Sequence, residues 1–260
     1  MMNRRELLKL VALNGMGTCI SFGDVSLSYA ITNKVHSWGY VGEGSPTHWG
    51  ELADEYQVCK MGLQQSPINL QEAIEAGLSP IAIHYQEIPL SILNNGYTVQ
   101  VNAAPGNTLT LDGIVFELIQ FHFHHPSEHQ QTSRAYPMEL HLVHKSASGE
   151  LAVLGIFLQE GAENETLKPI WAAIPSPSRS ATPVDGVTVF LPDLLPTQRD
   201  HYRYFGSLTT PPCSETVRWT VFDEPIRISR AQIEQFARIF PPNARPIQPL
   251  NRRYLLHANL

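Results

Sequence analysis

The sequence predicts a single, mostly β domain. Segments that alternate apolar and polar residues recur along its middle, and this alternation is typical of half-buried strands. These segments are residues 81–85, 98–101, 108–111, 115–120 and 151–158. Turn signals rich in Asn, Asp and Gly separate them, at residues 94–96, 104–107 and 112–113. Strands joined by short turns favour a largely antiparallel sheet.

Helical patterns are scarce. They are confined to residues 167–174 and 229–240, where Ser229 is a candidate N-cap three residues before Gln232. Residues 175–196 are rich in proline, and we expect them to form a connection on the surface.

Length and composition indicate one domain, residues 31–260, with one sizeable core. The chain has 260 residues, of which 43% are hydrophobic, and no linker or internal repeat divides it. The net charge of −6 gives no electrostatic argument for binding nucleic acid or an anionic membrane. Its oligomeric state cannot be inferred from these features.

Residues 1–30 resemble a twin-arginine export signal. Arg4 and Arg5 precede a weakly apolar run, and Ser28 and Ala30 offer the small residues that a signal peptidase reads. The run contains Asn14 and two glycines, so it is too polar and too short for stable membrane insertion. We therefore expect a periplasmic or extracellular protein. The alternatives are an amphipathic first helix of a cytoplasmic protein and an uncleaved anchor.

The cysteines agree with export. Cys19 lies in the predicted signal, which leaves Cys59 and Cys213 in the mature domain. A pair in an exported domain favours one disulfide, closing a loop of roughly 150 residues. Two free buried thiols remain the alternative, because sequence alone does not establish that the two residues meet.

Three histidines predict a metal site. His122 and His124 are two residues apart in a strand-like segment, so their side chains share one face. His141 lies in a second strand-like segment, 138–143, beyond a polar, proline-bounded turn at 126–137. Two paired strands can bring the three imidazoles to one point. Three histidines with a fourth position open describe a catalytic Zn²⁺ site, and a structural site would require a fourth protein ligand.

The motifs around these histidines resemble those of the α-class carbonic anhydrases. The blocks that carry the resemblance are residues 65–69, 121–124, 127–129, 139–144 and 206–212, with further similarity at 151–157 and Trp219. The resemblance implies a twisted, largely antiparallel sheet of about ten strands with a few short peripheral helices. It also implies zinc on His122, His124 and His141, and reversible hydration of carbon dioxide to bicarbonate and a proton by a metal-bound hydroxide.

The resemblance further implies roles for the surrounding residues. Thr209 would hydrogen-bond the hydroxide and donate to Glu128. Glu139 and Gln120 would accept hydrogen bonds from His141 and His122, which fixes the orientation of a metal ligand. An apolar pocket for carbon dioxide would be formed by Val143, Val153, Leu208 and Trp219, with Thr210 beside it.

Proton export is where the chain departs from the fastest members of this family. They carry a histidine shuttle directly after an Asn-Asn-Gly turn, whereas Tyr97 follows that turn here. A phenol with a pKa near 10 is a poor proton carrier at neutral pH, and an imidazole near 6.5 is well matched. We expect turnover to depend on external buffer. His36 is a possible substitute that the sequence does not position.

Two other functions compete with this interpretation. A zinc ester hydrolase would use the same metal centre on a different substrate. A catalytically silent zinc-binding module would share the fold, although silent relatives typically lack one or more of the zinc histidines. All three are present here together with Glu128 and Thr209.

Overall fold

A computed structural model describes residues 37–259, so the predicted export signal and His36 lie outside the described residues. One large sheet of 13 strands organises this part of the chain, and a separate pair is formed by two short strands. The strands in chain order are β1 (Asn69–Leu70), β2 (Ile74–Glu75), β3 (Ala82–His84), β4 (Glu87–Asn94), β5 (Val99–Asn102), β6 (Thr108–Leu111), β7 (Ile114–His124), β8 (Gln130–Gln131), β9 (Met138–Ser146), β10 (Leu151–Glu160), β11 (Thr182–Phe190), β12 (His201–Gly206), β13 (Val217–Phe222), β14 (Ile226–Ile228) and β15 (Leu256–Ala258).

The predicted β class and largely antiparallel sheet are confirmed. Ten strands follow one path, β11-β4-β5-β7-β9-β10-β13-β12-β15-β2, while β3, β6 and β14 pair beside it. Within the large sheet, the parallel pairs are β10 with β13, β10 with β14, and β15 with β2. The sheet is therefore mixed, with most of its strand pairs antiparallel.

The helices are short and peripheral, as expected. They are α1 (Trp49–Leu52), α2 (Val58–Met61), α3 (Lys168–Ala172) and α4 (Arg230–Ile239). Ser229 caps α4 as predicted: its hydroxyl accepts a hydrogen bond from the Gln232 main-chain N–H, and the Gln232 side-chain oxygen accepts one from the Ser229 main-chain N–H. This reciprocal capping box satisfies N–H groups that the first turn leaves open.

One prediction about the connections is wrong. Residues 175–196 are not simply a surface connection, because they include β11 and a 3₁₀ helix at Leu191–Leu194. Strand β11 pairs with β4 at the edge of the sheet, and its register shifts between Pro183 and Thr188. An edge strand tolerates proline because one side of it needs no partner, so the proline content did not exclude a strand.

The hairpin between β6 and β7 is a two-residue turn. Leu111 pairs with Ile114, and both intervening residues have positive φ, 50° at Asp112 and 79° at Gly113. This is the backbone that twisted hairpins favour and that Asp-Gly adopts readily. The turn predicted at residues 112–113 is confirmed.

A β-bulge divides β7 into two halves. Leu118 pairs with His144 of β9, but Gln120 pairs with Val143, so the register shifts by one residue at Ile119. The buried positions follow the shift: Phe116 and Leu118 precede it. Phe121 and Phe123 follow it and continue the same large apolar cluster. The residues that alternate with these two phenylalanines, including His122 and His124, therefore point to the face of the sheet away from this cluster.

None of the helices within residues 37–259 is long and apolar enough to cross a membrane.

The predicted disulfide is present. Cys59 in α2 and Cys213 after β12 are joined, with their Cα atoms 5.0 Å apart and a sequence separation of 154. Cys213 is fully buried, and its main-chain N–H donates to the Thr210 carbonyl at 2.9 Å. The bond thus ties the N-terminal helices to the segment that carries Thr209 and Thr210.

Replacing both Cys59 and Cys213 with serine should destabilise the domain. A crosslink across so long a loop restricts the unfolded chain, and its loss typically costs about 2–5 kcal/mol, or roughly 10 °C in melting temperature for a domain of this size. Calorimetry with and without reductant provides the measurement. Reductant should lower the melting temperature of the wild type but not of the variant, and equal melting temperatures would contradict the expectation.

Candidate metal centre

Three histidines converge where β7 and β9 pair. His122 lies directly opposite His141 in the strand register, and His124 follows two residues later on the same face of β7. One ring nitrogen from each histidine lies within 4.8 Å of the others. The geometry is that of a three-histidine cluster able to hold one metal ion.

The two histidines of β7 are oriented through their Nδ1 atoms. His122 Nδ1 lies 2.9 Å from Gln120 Oε1, and His124 Nδ1 lies 2.8 Å from the main-chain carbonyl of Asn243. Both partners accept hydrogen bonds, so each Nδ1 carries the proton. The Nε2 atoms of both rings are left as lone-pair donors toward the centre of the cluster.

His141 is oriented the other way round. Its Nε2 lies 2.9 Å from Glu139 Oε1, which leaves Nδ1 facing the cluster. The Glu139 carboxylate is fully buried and also accepts from the main-chain N–H of His129 at 2.8 Å and from His129 Nδ1 at 2.7 Å. His129 in turn contacts the Tyr204 hydroxyl at 2.7 Å. Glu139 is therefore held in place from several sides.

The cluster favours neutral imidazoles. Burial lowers the pKa of His122 well below its usual range, and the nearby His124 and His141 lower it further. Burial likewise lowers the pKa of His124, with Glu128 opposing the shift. A neutral ring is the form that binds a metal.

Two unsatisfied atoms indicate that the cluster fits a cation. His124 Nε2 and Glu128 Oε2 are buried and have no hydrogen-bond partner within the described residues. They lie 3.3 Å apart, without the geometry of a hydrogen bond. Unsatisfied buried polar atoms are costly, and a dication beside them would remove that cost. Three imidazoles suit zinc.

Glu128 is anchored by its other oxygen. Glu128 Oε1 accepts a hydrogen bond from the Arg245 main-chain N–H at 2.9 Å. Thr209 is buried, but no hydrogen bond joins it to Glu128 in the structure, since Oε2 has no partner. The bond from Thr209 to Glu128 stays a prediction.

An apolar wall adjoins the cluster. Val153 of β10 pairs with Val143 of β9 on one side and with Trp219 of β13 on the other. Leu208 packs against the same apolar cluster. The Trp219 ring centroid lies 4.9 Å from that of His141. The four residues predicted for the substrate pocket therefore do come together beside the histidines.

Tyr97 lies at the mouth of the site. A cavity of about 140 Å³ is lined by His122 and His124 together with Tyr97, Trp38 and Thr210. The Tyr97 hydroxyl donates to the Trp38 main-chain carbonyl at 2.6 Å, and the two rings stack with their centroids 4.1 Å apart. Burial raises the pKa of Tyr97 above its usual value. The Tyr97 hydroxyl is thus protonated, and its proton is already used in the hydrogen bond to Trp38.

Sequence reasoning missed several contributors to this site. Asn243 and Arg245 act through a main-chain carbonyl and a main-chain N–H, which no residue type reveals. His129 lies in the block 127–129, but the sequence does not indicate its hydrogen bond to Glu139, and no motif marks Trp38. The Ser-Glu-His run that includes His129 was the one available signal.

Comparisons with known proteins agree with this geometry. The family described as eukaryotic-type carbonic anhydrase matches residues 44–259. A carbonic anhydrase from Nostoc sp. is 46% identical over 260 residues, covering 98% of this chain and 97% of the relative. One from Pectobacterium carotovorum is 46% identical over 234 residues, covering 90% and 95%.

Solved structures give the same result. The α-carbonic anhydrase of Thermovibrio ammonificans, in complex with the inhibitor sulfanilamide, matches with a TM-score of 0.81 and 43% identity, covering 85% of this chain and 98% of that one. A hyperthermostable carbonic anhydrase from a hydrothermal vent chimney matches with a TM-score of 0.83 and 44% identity, covering 86% and 100%.

Replacing Glu139 with glutamine should weaken zinc binding by about 10–100-fold. The amide keeps one acceptor oxygen and turns the other into a donor, so it cannot accept both from His141 Nε2 and from the His129 main-chain N–H. The His141 ring would then be oriented less firmly. Zinc affinity is measured by competition with a chromophoric chelator. Glu165→Gln, on the exposed surface, is the control. A variant of lower stability but unchanged zinc affinity would contradict the positioning role of Glu139.

Proposed function

The chain belongs to the eukaryotic-type, or α-class, carbonic anhydrase family, and we propose that it hydrates carbon dioxide at a zinc ion held by His122, His124 and His141. The reaction is reversible and gives bicarbonate and a proton. The observation that carries the proposal is the convergence of three ring nitrogens, with the other nitrogen of each ring hydrogen-bonded to a fixed acceptor.

The protein contributes orientation and a fixed negative charge. When bound, zinc supplies the activation of a water molecule near neutral pH. Gln120, Asn243 and Glu139 hold the protons of the three rings away from the cluster centre, so that each ring offers a lone pair there. Glu128 lies beside the cluster, with one oxygen anchored by Arg245 and the other unsatisfied. That free oxygen is available to accept a hydrogen bond from the Thr209 hydroxyl, as the family resemblance implies.

Carbon dioxide has no charge to bind, so its site must be apolar. Val143, Val153, Leu208 and Trp219 supply such a surface next to His141. Thr210 lines the cavity that also contains His122 and His124. An apolar wall also disfavours retention of charged bicarbonate, which assists its release.

Proton export is proposed to be the slow step. Tyr97 is the residue at the usual shuttle position, and its hydroxyl proton is committed to the Trp38 carbonyl. Its raised pKa makes loss of this proton at neutral pH still less favourable than for a free phenol. External buffer would then carry the proton away.

We propose that the protein is exported from the cytoplasm and acts outside it. The Cys59–Cys213 disulfide requires an oxidising compartment to persist, and the relatives at 46% identity are bacterial. The twin-arginine pattern of residues 1–30 supports the same inference. The periplasm and the extracellular space both satisfy these conditions.

Stopped-flow hydration of carbon dioxide, before and after zinc removal, tests the function. We expect activity to disappear with the metal and to return on addition of one equivalent of zinc. No hydration by a folded, zinc-loaded protein would favour the silent binding module. Hydrolysis of activated esters at a rate exceeding that of hydration would instead favour the ester hydrolase.

Replacing Tyr97 with histidine should raise kcat by at least about tenfold at low buffer concentration, because an imidazole can accept and release the proton at neutral pH. The kcat/KM value should change little, since hydration itself does not involve residue 97.

Tyr97→Phe is the matched control for this variant. It retains the ring stacked on Trp38 and removes only the hydroxyl, so kcat should stay near that of the wild type. An unchanged kcat in Tyr97→His, or a large fall in Tyr97→Phe, would each defeat the proposal about the proton.

A further inference from the structure

A second cavity, of about 350 Å³, lies against β12, β13 and β15 and includes none of the three histidines of the metal centre. We propose that it is a binding site for a small amphipathic organic anion, with a flat apolar body and one carboxylate. Neither carbon dioxide nor bicarbonate has such a body. The site is therefore additional to the proposed reaction and does not depend on it.

The size and lining of the cavity fit a small ligand. Ligand pockets usually occupy about 300–1,000 Å³ and combine apolar walls with a few polar groups. Leucine and aromatic side chains form most of the wall here, among them Leu111, Leu256, Phe205 and Tyr254. Phe205 is 58% exposed and Tyr254 73% exposed. Two large aromatic side chains left exposed beside one cavity provide surface for a flat apolar group.

The charged groups of the lining favour an anion. Three arginines, Arg203, Arg218 and Arg253, border the cavity, against one carboxylate, Asp112. Asp112 Oδ1 accepts from Arg203 Nη1 at 3.1 Å, so this pair neutralises itself. The guanidinium groups of Arg218 and Arg253 remain to act on a ligand in the cavity. This local positive charge contrasts with the net charge of the protein, which is −6.

Arg218 has an end free to bind an incoming group. Its Nε and Nη2 donate to Glu150 Oε2 at 3.2 and 3.0 Å. Its Nη1 has Asp112 Oδ2 only at 3.9 Å, beyond hydrogen-bond distance. The guanidinium carbon lies 5.1 Å from the centroid of the Phe205 ring. A cation and an aromatic face are thus adjacent at the opening.

Arg253 carries the uncompensated charge. It has no ion pair within 4 Å among residues 37–259, and Glu215 acts on it only at longer range. Its donors are instead satisfied by main-chain carbonyls, those of Phe205, Gln65, Leu250 and Pro249. These carbonyls fix the guanidinium without cancelling its charge. Counting Glu150 as well as Asp112, one positive charge remains in excess around the cavity.

A carboxylate is the anion that these features select. Bidentate recognition of planar carboxylates is the usual role of arginine at such sites. The cavity is too apolar to favour a compact, strongly hydrated inorganic anion. An apolar body placed between Leu256 and the exposed aromatic rings, with its carboxylate toward Arg218, would satisfy both parts of the lining.

Titration calorimetry with naphthalene-2-carboxylate tests the proposal on the zinc-loaded protein. A saturating sulfonamide first blocks the metal centre, so that the carboxylate cannot bind there. We expect one binding site per chain, with an affinity at least tenfold greater than that for naphthalene-2-carboxamide, the neutral probe of the same shape. Equal affinities for the two probes, or no binding once the metal centre is blocked, would overturn the proposal.

Variants locate the site. Arg218→Gln should weaken binding of naphthalene-2-carboxylate by about tenfold. Glu150→Gln should leave binding intact or strengthen it, because it frees donors of Arg218. Arg238→Gln, an exposed arginine of α4, is the control and should have no effect. Parallel effects of Arg218→Gln and Glu150→Gln would indicate a merely structural ion pair and would overturn the assignment of the carboxylate to Arg218.

Discussion

The one-residue bulge at Ile119 is the constraint on which the metal centre depends. Before the bulge Leu118 pairs with His144, and after it Gln120 pairs with Val143. Residues that pair directly across an antiparallel ladder share a face. With the register of the first half continued, His122 would lie opposite Leu140 and face the core. The bulge places it opposite His141, so that a strand serving the apolar core in both halves still presents its histidines to the cluster.

Sequence patterns predicted those parts of the site that depend on residue type and local spacing. The strands and the face shared by His122 and His124 follow from the alternation of side chains. The sequence also contains a sign of the bulge: the alternation of apolar residues that includes Leu118 resumes at Phe121, one residue out of phase. The roles of Asn243 and Arg245 could not be predicted, since any residue supplies the same main-chain groups and only the tertiary fold brings them to His124 and Glu128. The strand β11 was missed because proline suggested a loop, although an edge position accommodates it.

The mouth of the site is built from distant parts of the chain that the disulfide connects. Trp38 stacks on Tyr97 and contacts Trp49 edge-on, with ring centroids 5.6 Å apart. Trp49 packs in one small apolar cluster with Cys59 and Cys213. The main-chain N–H of Cys213 also donates to the Thr210 carbonyl. The aromatic residues around Trp49 are therefore held to the segment that carries Thr210. Tyr97, which stands at the predicted shuttle position, is therefore held from two sides, by the Trp38 ring and by the Trp38 carbonyl.

Trp219 lies between the histidine cluster and the second cavity. Its ring lies against His129 and His141, with centroids 4.8 and 4.9 Å away, while the residue also lines the second cavity. Its indole N–H donates to the Ser207 carbonyl at 3.0 Å, immediately before Leu208 and Thr209. Trp219 thus belongs both to the apolar wall beside the histidines and to the lining of the arginine-bordered cavity. The neighbouring residue of β13, Arg218, also lines the second cavity, and its side chain points away from the histidines because successive side chains of a strand point to opposite faces.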